Sequence, residues 1–78
     1  MKFALSLRNV RTELFEIEHS VMSVTGVSRI LGVICGCDNE QLAAVLEAVI
    51  NGRHRIFTFG ESDDLVAKKW ELNIQVLE

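Results

Sequence analysis

Cys35 and Cys37, two thiols one residue apart, are the residues whose type and spacing most directly suggest chemistry. Two thiolates are half of a tetrahedral zinc site, and His19 and His54 are the only histidines that would complete a Cys2His2 set. The spacing is not that of a zinc finger, where the thiols are separated by about two to four residues and the histidines lie close together. A thiol-redox role is the second possibility. Cys37 precedes an expected helix, whose dipole lowers a thiol pKa, but Asp38 opposes that effect. The redox spacing with established context is Cys-x-x-Cys, and a disulfide spanning a single residue is strained. The preferred reading is non-chemical: both thiols are small apolar side chains packed at the end of a strand.

Arg53, His54 and Arg55 follow an expected helix end beside Gly52. Three such donors would suit a phosphate or a carboxylate, although cations are favoured at a helix C-terminus in any case. Glu13, Glu16 and Glu18 stand next to His19. Paired carboxylates do acid–base work only when burial separates their pKa values, so a solvated acidic face is preferred. The glycines of "VTGVSRILG" fit neither a phosphate-binding loop nor a nucleophile elbow. No catalytic residue is assigned, and no cofactor is expected.

Composition limits the classes further. A chain of 78 residues makes one domain, 1–78. At that size a single core rarely supplies more than ~3–5 kcal/mol. Hydrophobic residues are 49% of the chain and the mean hydropathy is +0.24, so some apolar surface is expected to stay uncovered and to mark an interface. A net charge of −3 and a pI near 5.3 lack the basic footprint of a nucleic-acid binder. The longest apolar tract, "VSRILGVICG", is interrupted by Arg29 and is too short to span a bilayer. No leader-like segment opens the chain, and with only two cysteines a reducing cytoplasm is expected. Met1 reads as the start of a complete small protein.

The elements that must position these residues follow from periodicity. "KFALSLR" alternates, with Phe3, Leu5 and Leu7 on one face, and reads as a half-buried strand. Residues 10–24 are ambiguous. Val10, Leu14, Ile17, Val21 and Val24 recur at helical spacing after Asn9, whereas Phe15, Ile17, His19 and Val21 alternate as in a strand. The helix is the reading favoured here. "VSRILGVICG" reads as a buried strand, and residues 39–51 as an amphipathic helix with an Asp38/Gln41 capping box and Gly52 as its stop. "RHRIFTFG" and "WELNIQVLE" read as strands, with a short helix over "ESDDLVAKK" between them. A rival reading runs one strand from Val66 to Val76, as an edge shared with a second copy.

These elements predict an α+β fold, a small two-layer sandwich of mostly antiparallel sheet, one main helix (39–51) and one or two further helices. The expected core joins the 39–51 stripe (Leu42, Val45, Leu46, Val49, Ile50) to Phe3, Leu5, Ile30, Val33, Phe57, Leu72 and Ile74. The expected function is a non-catalytic interaction protein, a homo-oligomer or an adaptor or inhibitor of a protein partner, acting through a sheet edge or an apolar patch. The expected interface is the C-terminal strand, Trp70, Leu72, Ile74 and Val76, although for Trp70 the core-anchor reading is preferred to the hot-spot one. One alternative is the zinc or thiol site at Cys35 and Cys37, with His19 and His54. Another is a structural component of a viral or other repeating assembly.

Overall fold

Alternation and turn chemistry build the first half of the sheet. In a computed structural model, which describes residues 1–60 and 69–77, Lys2–Asn9 forms strand β1 and Phe15–Ser23 forms strand β2. Phe3, Leu5 and Leu7 are buried on one face of β1. The connection is an Asx turn: Asn9 Oδ1 accepts from the amides of Arg11 and Thr12 at 2.9 and 3.2 Å. Asn9 therefore turns the chain instead of capping a helix, and residues 15–23 pair antiparallel with β1. This corrects the helix favoured over 10–24. Of its apolar stripe, Val10, Leu14, Val21 and Val24 are exposed and only Ile17 packs against the core.

A second correction falls on "VSRILGVICG", which is a helix and its exit, not a strand. Val24–Val33 forms α1, with Ser23 accepting from the Gly26 amide as N-cap. Val27 and Leu31, four apart, are fully buried and Ile30 flanks them, so the sheet selects the 3.6-residue period. The main helix is as expected: Asn39–Ile50 forms α2, and both bonds of the Asp38/Gln41 capping box are made. Its C-terminus closes with Gly52 at φ 69°, the Gly52 amide bonding Val49 O and the Arg53 amide bonding Ala48 O. This is the two-bond Schellman pattern.

Ile56–Phe59 forms β3 and Trp70–Leu77 forms β4. The short helix expected over "ESDDLVAKK" lies outside the described residues, apart from Lys69, as does the start of the rival Val66–Val76 strand. The sheet order is β2-β1-β4-β3, with every neighbouring pair antiparallel. The first and last strands thus form the centre, paired from Lys2↔Leu77 to Asn9↔Trp70. Both helices cover one face, where Val27, Leu31, Val45 and Val49 meet Phe3, Leu5, Leu7, Trp70, Leu72 and Ile74 in a single core. The two-layer α+β class is as the sequence predicts. In the expected core, Val33 and Ile50 are instead exposed: each ends its helix, and Ile50 opens onto a cleft beside β4.

Candidate functional site

The thiols lie at a helix exit. Gly36, at φ 70°, ends α1; the amide of Cys35 bonds Ile30 O at 3.4 Å and that of Cys37 bonds Leu31 O at 3.0 Å. Both side chains are unpaired and pack against the edge of the core. Burial, and then the neighbouring Cys37, push the Cys35 thiol up to about 12. Burial and the Asp38 carboxylate also push Cys37 up. Burial thus disfavours the thiolate that a nucleophile needs. The non-chemical reading placed them at a strand end, and the position is in fact a helix end.

The histidines do not join them. His19 sits on β2 with φ 51°, its amide donating to Ser6 Oγ at 3.0 Å. His54 follows α2 and meets Phe57 edge to face at 6.0 Å between ring centroids. Among the described residues no three His, Cys, Asp or Glu side chains converge as a metal would require. Glu13, Glu16, Glu18 and Arg53, His54, Arg55 are all exposed, as a solvated acidic face and a cationic helix exit imply.

The expected interface strand is mostly interior. β4 has β1 on one side along its whole length and β3 on the other from Trp70 to Asn73. Trp70, Leu72 and Ile74 are buried, at 5%, 0% and 0% exposure. This matches the expected core placement of Leu72 and Ile74 and of Trp70 as an anchor, and it removes the three from the expected interface, since so little of them is exposed. Val76 is half-buried, beyond the last β3 pairing.

What the fold exposes is the face of the sheet opposite the helices. Register places Phe15 opposite Arg8, Val21 opposite Ala4, and Ile56 opposite Asn73. Paired residues share a face, so all three stand on the uncovered side, where they are 48%, 57% and 59% exposed. Between them lie the half-buried Ala4 and Ser6 and the Arg8–Glu71 ion pair, 3.4 Å long. A shallow depression of about 240 Å³ opens over Ala4 and Ser6, bordered by His19, Asn73 and Gln75. The Phe15–Val21 alternation signalled a strand but not this face, because register shifts turn its Ile17 to the core while Phe15 and Val21 face out.

Comparison with family models, with curated proteins and with solved structures found no match to this chain. Among the described residues no helix is long and apolar enough to cross a membrane.

Proposed function

We propose that the protein is a non-catalytic interaction module that associates with a second copy of itself through the uncovered face of its sheet. The observation that carries this reading is the exposure of Phe15, Val21 and Ile56 on one face of a sheet whose other face is filled by two helices. Three strands of eight or nine residues and the four-residue β3, at about 3.3 Å per residue and about 4.8 Å between strands, give a face of roughly 450 Å². Two such faces bury about 900 Å², just under the ~1,000 Å² of a stable specific interface, so the dimer is weak, transient and concentration-dependent. The face also suits self-contact electrostatically. Arg8 and Glu71 neutralise one another, and the small Ala4 and Ser6 let a second backbone approach. Unpaired thiols at Cys35 and Cys37 support a cytoplasmic location, where such thiols stay reduced.

The test is a Phe15→Lys, Val21→Lys double variant, compared with the parent by size-exclusion chromatography with light scattering over a concentration series. Both side chains are exposed, so the variant is expected to fold with an unchanged urea midpoint and to remain a monomer, while the parent dimerises. A variant that dimerises as the parent does contradicts the reading.

A further inference from the structure

A second recognition surface lies at the end of β4 that β3 leaves open. β3 pairs with β4 from Phe59↔Trp70 to Ile56↔Asn73. One more bond, from the Ile74 amide to Arg55 O at 2.9 Å, ends that contact, and the preceding chain leads back to α2. Residues 75–77 of β4 keep β1 as a neighbour and have no second strand among the described residues. Main-chain groups alternate between the two edges of a strand. The Ile74 amide faces the β3 side, so Val76 N–H and C=O face that side too. A cleft of about 220 Å³ runs beside them, lined by Val49, Ile50, Gly52, Arg55, Ile74 and Val76, with Gln75 at its rim.

We infer that this cleft binds the free C-terminus of another protein as a short added antiparallel strand, with its terminal carboxylate on Arg55. The inference rests on the reading of the chain as an interaction module but uses a different surface. Direction is the first argument. β3 is antiparallel to β4, so a strand added in line with β3 and antiparallel to β4 points its C-terminal end at Arg55. The start of β3 already occupies the positions beyond, so the added chain has to stop there. Charge is the second argument. Arg55 lines the cleft, and Arg53 and His54 stand just before it, all exposed. A carboxylate ending at this point meets the charge-assisted donors it needs.

Register then sets the sequence the cleft accepts. The last residue of the tail stands opposite Gln75 and turns to the open face, where a polar side chain is suited. The penultimate residue stands opposite Val76 and turns toward the helices. An apolar side chain there covers Val76 and Ile50, the latter 48% exposed.

The test is fluorescence anisotropy of the full chain with a dye-labelled hexapeptide of threonines carrying valine at the penultimate position and a free carboxylate. Saturable binding is expected, weakened roughly tenfold when the same peptide is amidated. Arg55→Gln, an exposed change, is expected to bring the free-acid peptide down to the level of the amide. Val76→Pro removes the outward N–H while Gln75 and Leu77 keep their pairing with β1, and is expected to abolish binding in protein that circular dichroism shows to be folded. Equal binding of acid and amide, an amidated peptide ending in glutamate that binds as well as the free acid, or no saturable binding would each overturn the inference. The subunit count separates this outcome from the fate of the self-association reading. An assembled protein that ignores the peptide loses only the tail site, and a monomer that binds it loses only the sheet-face contact.

Discussion

Cys35 and Cys37 flank the glycine at which α1 ends, and that position explains their chemistry. The chain needs a left-handed residue there, supplied by Gly36 at φ 70°, and small apolar neighbours that fold back on the core. Burial then favours the protonated thiol, with Cys35 pushed up to about 12 from an ordinary 9.0. The sign of the resulting pH effect follows from linkage. Below pH 9 the folded and unfolded chains both keep the proton, and its contribution is fully present. Between 9 and about 12 the unfolded chain releases the proton while the folded chain holds it, so stability falls as pH rises. Cys35→Ala is therefore expected to lose less of its urea midpoint than the parent between a neutral and an alkaline buffer. Equal losses would show that the Cys35 thiol is not desolvated in the fold. The sequence showed the pair but not its setting, because Cys-x-Cys reads the same at a strand end and a helix end.

At the scale of elements, local signals succeeded where one period was unopposed. The strand at residues 2–9, the helix at 39–50 with its Asp38 cap, and the strand at 70–77 were all legible. Two segments were not. In β2, register shifts opposite the Leu5–Arg8 stretch of β1 insert extra residues, so the alternation at 15–21 does not map onto one face, and a helical stripe through Ile17 and Val21 competed with it. Such bulges also blunt a long edge strand against indiscriminate pairing. In α1, three valines, Thr25 and Ile30 carry strand-like propensity and two glycines weaken a helix, and packing of Val27 and Leu31 on the sheet makes the segment helical. Gly32 tests that assignment. It lies inside α1, and a Cβ built there meets nothing within 4 Å. Gly32→Ala is expected to stabilise the fold by roughly 0.5–1 kcal/mol, the helical advantage of alanine over glycine. A measurable loss in chemical denaturation would speak against a helix at this position.

For the whole molecule, the fold accounts for the apolar excess of so short a chain. Two helices cover one face of a four-stranded sheet, and among the described residues no element covers the other. The sequence indicated that apolar surface would be left over but pointed to the wrong place. The amphipathic C-terminal strand resembled an edge, and it became the centre because β1 and β4 pair along their full lengths. Long-range pairing of this kind leaves no local trace in either segment. The residues left outside, Phe15, Val21 and Ile56, come from both edge strands of the sheet, and only the assembled fold brings them onto one face.

The most direct test of the central claim, association through that face, is native mass spectrometry of untagged, chelator-free protein over a concentration series. The account predicts a metal-free species of twice the 8.8 kDa chain mass that grows with concentration and disappears in the Phe15→Lys, Val21→Lys variant. A bare monomer at every concentration, or a zinc-sized increment lost in a Cys35→Ser, Cys37→Ser variant, would contradict it.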